Sequence, residues 1–211
     1  MMKGLLYKDA LLLVRQYKIF LLVSIGFTVA GAWLQNSFWT IYGVFFINVL
    51  STSSIQIDDQ MKWFSYCECL PLSRKTIVSE KYVFALMCGG GIILLHIIVS
   101  VIAGLVNGSM NIEWIGLTSV TMYLFTVVIT IGTIPLNMYF GSQKGMLARY
   151  VIVALVVSMS VVMMNLSDQV YQVFQNTSGT GAAVAAVVLA ALVYAGAWIL
   201  TIKLYEKKEI V

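Results

Sequence analysis

Few residues of this chain have the type and spacing needed to bind a metal ion or transfer a proton. Cys67 and Cys69 flank Glu68, and the single histidine, His96, lies in a long apolar segment. Structural zinc sites usually separate paired ligands by two to four residues, so the one-residue spacing of these cysteines does not fit. A lone histidine among apolar residues is more typical of a hydrogen bond to a neighbouring helix, with a proton relay as the less favoured alternative. We therefore predict no metal site.

Motifs that would identify a catalytic site are missing from the sequence. It holds no G-x-x-x-x-G-K-[ST] phosphate loop, no H-E-x-x-H and no G-x-S-x-G. The first absence excludes ATP binding through that loop, and the other two argue against a zinc protease and a serine hydrolase. The sequence therefore predicts a chain that is not itself an enzyme.

The composition indicates that the chain folds in a lipid bilayer. Of its 211 residues, 60% are hydrophobic and 10% are charged, and the mean hydropathy is +0.91. Soluble domains are closer to half apolar and a quarter charged. A membrane-spanning helix needs about 20 apolar residues, so the length allows about six spans in one domain over residues 1–211. The composition excludes disorder, a secreted disulfide scaffold and an ordinary cytosolic enzyme.

The positions of the charges mark the helices that must place any functional residue. Between Ile19 and Ile57 there is no Asp, Glu, Lys or Arg, and Gln35, Asn36 and Ser37 lie near the middle of this run. This pattern predicts two spans joined by a tight turn. We predict an all-α membrane protein with six spans, at about 18–35, 38–57, 82–106, 114–140, 150–166 and 182–202.

The basic residues predict the orientation. All 13 Lys and Arg fall in the N-terminal segment, the second and fourth loops and the C-terminal tail, and the alternate loops hold none. Basic residues flanking spans concentrate on the cytoplasmic side, so both termini are expected in the cytoplasm. The net charge of +4 then reflects topology and gives no reason to expect nucleic-acid binding.

The N-terminal segment, about 3–17, is predicted to be a helix in the cytoplasmic interface. It is not expected to be a cleavable signal peptide, because charges interrupt its apolar residues. The alternative is a plain basic flank of the first span. Its predicted apolar stripe consists of Leu6, Ala10, Leu13, Val14 and Tyr17.

Ionisable groups are expected to be absent at membrane depth, apart from His96. Carriers coupled to protons or ions usually keep charged side chains there. Energy for transport would then come from another source, and an external ATPase is the obvious one.

The loop at residues 58–82 carries the densest polar signal. Asp58 and Asp59 could cap a short helix in which Trp63, Tyr66, Cys67 and Leu70 share one face and which Pro71 ends. Ser73 could then cap the third span. Such a helix is suited to docking into a protein groove or to lying flat on the membrane, and the residues alone leave both open.

This loop resembles that of type-2 ATP-binding-cassette (ABC) transporter permeases, particularly the small six-span bacterial subunits. Those proteins show an acidic pair, then K-W-x-x-Y, L-P-x-S-R and I-V-x-x-K-Y. The chain has Asp58-Asp59, Lys62-Trp63-x-x-Tyr66, Leu70-Pro71-x-Ser73-Arg74 and Ile77-Val78-x-x-Lys81-Tyr82. The opening M-K-G-L-L-Y-K-D at 2–9 is also similar.

The resemblance implies a multi-pass permease subunit of a bacterial plasma-membrane exporter. The loop between spans two and three would contain a coupling helix that docks on a separate ABC ATPase. Two permeases, as a homodimer or heterodimer, would work with two ATPases, which bind ATP and Mg while the permease binds no cofactor directly. The residues implied for coupling are Asp58, Asp59, Lys62, Trp63, Tyr66, Leu70, Pro71 and Arg74. A re-entrant helix at 167–180 is expected to be reduced or absent.

The exported substrate is expected to be an amphipathic peptide or a hydrophobic compound. The candidate path residues in the first two spans are Trp33, Trp39, Tyr42, Phe46 and Asn48. An interfacial aromatic belt in contact with lipid is the alternative for these rings. The alternative for the whole chain is a membrane immunity or sensor protein that transports nothing.

Overall fold

The computed structural model describes residues 2–70, 72–108, 110–165 and 179–207. All regular elements in these ranges are α-helices. They are α1 (Met2–Gln16), α2 (Lys18–Trp33), α3 (Ser37–Gln60), α4 (Trp63–Glu68), α5 (Arg74–Asn107), α6 (Ile112–Asn165) and α7 (Gly179–Glu206). The all-α prediction is therefore confirmed for the described part of the chain.

Several helices are long and apolar enough to cross a bilayer. Within the described ranges these are Ser37–Gln60, Arg74–Asn107, Ile112–Gly141 and Ala183–Glu206, which makes four. The number rises to five if α1 and α2, which meet at 88°, count as one bent span. α2 has 16 residues, fewer than the roughly 20 that cross a bilayer without tilt or thinning.

α2 and α3 form the predicted hairpin, and the turn lies where it was expected. Gln35 takes a positive φ of 49°, and the Asn36 side chain caps α3 by accepting a hydrogen bond from the Phe38 amide at 3.0 Å. The backbones of the two helices lie close together at Gly43, because a Cβ there would lie 3.0 Å from the Ser24 carbonyl oxygen and 3.1 Å from the Thr28 nitrogen. Such close approach without side chains between helices is a common way of packing in lipid.

α3 lies in the middle of the bundle and carries more of the buried polar residues of the described chain than any other helix. The amide of Asn48 donates to Thr126 Oγ1 of α6 at 3.1 Å. Thr126 also packs against Gly89 of α5, where an added Cβ would lie 2.5 Å from Thr126 Cγ2. The three helices therefore meet at one tight junction, and Gly89 is a point of close packing within the glycine run of α5.

α6 differs from the expected pair of spans with a loop between them. Residues 142–149, expected to form that loop, are helical, and the break is confined to Gly141 at φ 80° and ψ 176°. Glycine adopts this backbone conformation without a steric penalty, so a single residue replaces the loop. The expectation for residues 167–180 falls almost entirely on residues 166–178, which lie outside the described ranges.

α7 packs on α5 through aromatic side chains. The rings of Tyr82 and Trp198 stack with centroids 5.7 Å apart, and the Tyr82 and Thr201 hydroxyls lie 2.7 Å apart. The Tyr194 hydroxyl donates to the carbonyl of Tyr82 at 2.8 Å. These contacts hold the C-terminal end of α7 beside the start of α5. We call this end of the bundle, where α3 ends and α4 lies, the α4 end.

Candidate functional site

The loop after α3 forms a short helix, as expected, but its acidic residues lie elsewhere. Asp58 and Asp59 belong to the last turn of α3, so the prediction that they cap α4 is wrong. Lys62, in the left-handed conformation at φ 53°, turns the chain into α4. The Ser73 hydroxyl accepts a hydrogen bond from the Thr76 amide at 3.3 Å, which confirms the predicted cap of α5.

α4 packs on the bundle through one face and displays the other. Phe64 and Cys67 are buried, and the Phe64 ring meets the Tyr205 ring of α7 at 6.1 Å. Tyr66 is 56% exposed and packs against the half-buried Trp63 ring at 5.4 Å. The helix therefore presents an aromatic pair, beside the exposed Lys62, from a fixed position.

Lys8 of α1 joins α4 to α3. Its ammonium lies 4.6 Å from the centre of the Trp63 ring, within cation–π distance. The same group donates to both carboxylate oxygens of Asp58, at 2.7 and 2.8 Å. The orientation of Trp63 is thus tied to the end of α3 through a residue of α1.

Lys81 of α5 lies at the centre of a buried charge cluster, which we define as Lys8, Asp9, Ser54, Asp58, Glu80 and Lys81. The Lys81 ammonium lies 2.5 Å from Asp9 Oδ2 and 2.6 Å from Asp58 Oδ2. Ser54 donates to Asp9 Oδ2 at 3.1 Å, and Glu80 Oε2 lies 3.5 Å from the Lys81 ammonium. Three helices, α1, α3 and α5, therefore share one set of paired charges.

The helices bury ionisable groups just outside the predicted spans, where the sequence had not indicated any. The side chains of Asp9, Asp58 and Lys81 are 0%, 5% and 2% exposed. Asp58 and Lys81 each lie one residue outside a predicted span, but inside the continuous helices α3 and α5. Charged side chains with so little solvent exposure occur in folded proteins when they are paired and hydrogen-bonded, as these are.

Part of the predicted stripe of α1 faces the bundle, because Leu13 is buried and Leu6 and Tyr17 pack beside it, but Asp9 is buried as well. Leu5, Asp9 and Leu13 are buried, whereas Ala10 and Val14 of the predicted stripe are exposed. Spacing by four residues places the Asp9 carboxylate between two leucines on one helical face. On this face the Asp9 carboxylate reaches the buried charge cluster, because Lys81 and Ser54 lie there and bind it.

Arg74 holds the end of α7. Its guanidinium donates to the carbonyl oxygens of Glu206 at 3.1 Å and Tyr205 at 3.5 Å. Carbonyls in the last turn of a helix have no partner within the helix, and a basic side chain stabilises them. The Lys75 ammonium adds an exposed ion pair to Glu206 at 3.8 Å.

The structure brings the sequence-predicted coupling residues to one end of the bundle but gives them different surroundings. Lys62 and Tyr66 are exposed, Trp63 and Leu70 are half-buried, and Asp58 is buried. Asp59 Oδ2 lies 3.6 Å from the position that a Cβ would take on Gly141. Pro71 lies outside the described residues. Docking on a partner by these residues stays a prediction.

The candidate path residues divide into two groups. Phe27 stacks on Trp39 at 5.1 Å and on Phe46 at 5.8 Å, and Tyr42 lies beside it at 6.3 Å. Trp39 is 40% exposed, so these rings form an aromatic face on the outside of the α2–α3 hairpin. Trp33 is exposed at the end of α2. Asn48 is fully buried against α6 and does not line this face.

Most residues of the buried charge cluster were not predicted from the sequence. Lys8, Asp9, Ser54, Glu80 and Lys81 were not among the candidate site residues. One signal was readable beforehand, because Leu5, Asp9 and Leu13 recur every four residues and so share a helical face. Partners of Asp9 could not be read in the same way, since they lie 45 and 72 residues along the chain.

Metal and thiol chemistry finds little support in the described residues. No group of three or more His, Cys, Asp or Glu side chains in those ranges could hold a metal ion. Burial raises the pKa of the Cys67 thiol, which favours its protonated form over the thiolate that binds metals or attacks electrophiles. Cys67, Cys69 and Cys88 are free cysteines.

The apolar helices and their charged end define a multi-pass integral membrane protein. The family model for ABC-2 family transporter proteins matches residues 4–206. The chain therefore belongs to the ABC-2 family and is a membrane permease of an ABC transporter. The comparisons with curated proteins and with solved structures give no match.

Proposed function

We propose that this chain is the permease subunit of an exporter in the bacterial plasma membrane, driven by a separate ATPase. The observation that carries the proposal is the aromatic pair that α4 displays while its other face is packed on α3, α5 and α7. A short helix that is rigidly held and partly exposed is suited to docking into a groove of another protein. Membership of the ABC-2 family supports the identity of that protein as an ABC ATPase.

The proposed assembly contains two permeases, as a homodimer or heterodimer, and two ATPases. ATP and Mg bind in the ATPases, and their closure displaces α4 together with the helices that it contacts. Lys62, Trp63 and Tyr66 form the exposed part of the docking surface. Behind it, the buried Asp58 is joined to α4 through Lys8 and Trp63, and Arg74 fixes the start of α5 against the end of α7.

We propose six spans with both termini in the cytoplasm. The right angle between α1 and α2 supports an interfacial α1 that turns into the first span. The helical residues 142–165, beyond the Gly141 break, provide the length for a span between Ile112–Gly141 and α7. The distribution of Lys and Arg supports a cytoplasmic location for the α4 end.

We propose an amphipathic peptide or a hydrophobic compound as the substrate. The aromatic face of Phe27, Trp39, Tyr42 and Phe46 supports this class, since flat apolar surfaces with phenol and indole edges suit amphiphiles. Trp33 extends this surface at the end of α2. Asn48 contributes by fixing α3 against α6.

Purification of the tagged chain from its native cell in mild detergent, with mass spectrometry of the proteins recovered, tests the proposal. We expect a stoichiometric partner that carries a G-x-x-x-x-G-K-[ST] loop. Recovery of the chain alone, also after crosslinking in intact cells, would contradict the transporter assembly. The immunity or sensor function would then be favoured.

Replacement of Trp63 by alanine is expected to weaken docking of the ATPase. Truncation of a tryptophan at the centre of an interface typically costs about 2 kcal/mol, or about thirty-fold in Kd. We expect correspondingly lower ATPase recovery and lower substrate-stimulated ATP hydrolysis, with the spans still folded. Titration of the purified ATPase against the permease in nanodiscs measures the Kd.

Trp114→Ala provides the matched control for this prediction. It removes the same side chain from the start of α6, at the opposite end of the bundle, where Trp114 Nε1 donates to Ser37 Oγ at 3.2 Å. We expect its Kd for the ATPase to equal that of the wild type. If Trp63→Ala binds the ATPase and supports hydrolysis as Trp114→Ala does, the assignment of α4 as the docking helix is wrong.

A further inference from the structure

We propose that the buried charge cluster is the connection through which a displacement of α4 moves α1, α3 and α5 together. Asp9 and Lys81 are then positioning residues for the coupling of ATP hydrolysis to helix movement. The inference rests on the proposed function, because it needs an ATPase that displaces α4. It adds a role for residues of α1 and α5 that lie behind the docking surface.

The contacts of the cluster form an unbroken path from α4 to three helices. Trp63 lies under the Lys8 ammonium at 4.6 Å, and Lys8 grips both oxygens of Asp58 at 2.7 and 2.8 Å. Asp58 then meets Lys81 at 2.6 Å, and Lys81 meets Asp9 at 2.5 Å. Each step joins a different pair of elements, so four contacts between five side chains connect α4 to α1, α3 and α5.

The buried ion pairs resist separation of the helices that they join. Opposite charges interact far more strongly in a poorly solvated interior than in water, so their separation is costly where Lys81 is only 2% exposed. Each carboxylate of the pair Asp9 and Asp58 contacts both ammonium groups, at distances of 2.5–3.1 Å. A helix that moved alone would have to break at least one pair, whereas helices that move as a unit break none.

An apolar contact would not impose the same constraint. Phe64 and Tyr205 also join α4 to the bundle, but rings at 6.1 Å are able to slide past one another with little change in buried area. Paired charges are directional, and their main effect in some proteins is to fix register more than to add stability. The cluster thus determines which helices move with α4, while the contact between Phe64 and Tyr205 keeps α4 packed on the bundle.

The test uses the permease–ATPase complex in nanodiscs and a reporter at the far end of α5. Leu105 is 70% exposed near the end of α5, so Leu105→Cys supplies a thiol that reacts with maleimide. Cys69→Ser removes the exposed native thiol from the background. The rate of reaction at position 105, followed by mass spectrometry, is compared without nucleotide and after trapping with ATP and vanadate.

In the Leu105→Cys, Cys69→Ser background we expect trapping to change this rate several-fold. Addition of Asp9→Asn, which keeps the shape of the side chain and removes its charge, is expected to abolish most of the change while the bound ATPase still hydrolyses ATP. A trapping response equal to that of the background would overturn the proposal. So would a background whose reaction rate does not respond to trapping.

A second substitution covers the outcome in which Asp9→Asn fails to fold. Lys8 is 28% exposed, so Lys8→Gln disturbs the interior less, and we expect it to abolish the response in the same way. Lys8→Arg keeps the charge above Trp63 and is expected to restore the response. A Lys8→Gln complex that responds like the background would contradict the proposal as well.

Lys75→Gln is the matched control at the same end of the bundle. Lys75 is 68% exposed in its ion pair with Glu206, so its replacement is expected to leave the trapping response unchanged. Loss of the response in Lys75→Gln as well would overturn the special role of the cluster. Failure of the proposed function is distinguishable, because the wild-type chain would then bring no ATPase through purification.

Discussion

Lys81→Met is expected to lower the free energy of unfolding by about 3–5 kcal/mol. The substitution removes the only fully buried ammonium of the cluster and leaves the carboxylates of Asp9 and Asp58, 0% and 5% exposed, without their shared partner. Lys8 alone remains to offset both charges, and it is partly exposed to solvent. Titration of micelles with sodium dodecyl sulfate, followed by helical circular dichroism, measures the change.

Lys75→Met is the control for this stability effect. Its ion pair with Glu206 spans 3.8 Å between side chains that are 68% and 42% exposed, and such surface pairs contribute about 0–1 kcal/mol. Addition of Asp9→Asn and Asp58→Asn to Lys81→Met should recover part of the loss, since positions 9 and 58 then carry no uncompensated charge. If Lys81→Met and Lys75→Met cost the same, the cluster is not buried in the folded protein as the structure has it.

Features fixed by local chemistry could be predicted from the sequence. The turn at Gln35 and Asn36 follows from a charge-free run that is too long for one span and has polar residues at its middle. Ser73 caps α5 because its hydroxyl needs only the amide three residues ahead, so sequence spacing sets the geometry. The short helix α4 was likewise predictable from the spacing of its apolar residues.

Features fixed by distant contacts could not be predicted. Asp58 was expected to cap α4, because acidic residues just before a helix usually do so. In the structure, Lys8 and Lys81, 50 and 23 residues away, bind its carboxylate within the last turn of α3. Arg74 also caps α7 through residues 131 and 132 positions away, while its role in coupling stays a prediction. Neither set of partners is visible before the helices are assembled.

The length of α6 shows a second limit of prediction from charge positions. Lys144 and Arg149 favoured a loop after the fourth span, since charges usually mark the ends of spans. The structure keeps residues 142–165 helical and breaks the direction at Gly141 alone. A charge pattern identifies where a chain meets water, but it does not tell whether the backbone there is a loop or a helix.

Gly43→Leu is expected to cost about 3 kcal/mol and to separate α2 from α3. A Cβ at this position would lie 2.1 Å from Thr28 Oγ1 and 3.0 Å from the Ser24 carbonyl oxygen, so the backbone of α2 would have to move. That movement would also break the hydrogen bond from Ser24 Oγ to the Gly43 carbonyl, now 2.6 Å long. The same titration with sodium dodecyl sulfate measures the loss.

Gly26→Leu makes the same chemical change on α2 where there is room for it. A Cβ on Gly26 meets no atom of the described residues within 4 Å, so we expect wild-type stability or a small gain from the better helix former. Equal stability of Gly43→Leu and Gly26→Leu would contradict the backbone contact of the hairpin.

Because α3 carries Ser54 and Asp58, a displaced α3 should also weaken the buried charge cluster. Gly43→Leu should therefore reduce the ATP-dependent response at position 105, although it lies far from α4.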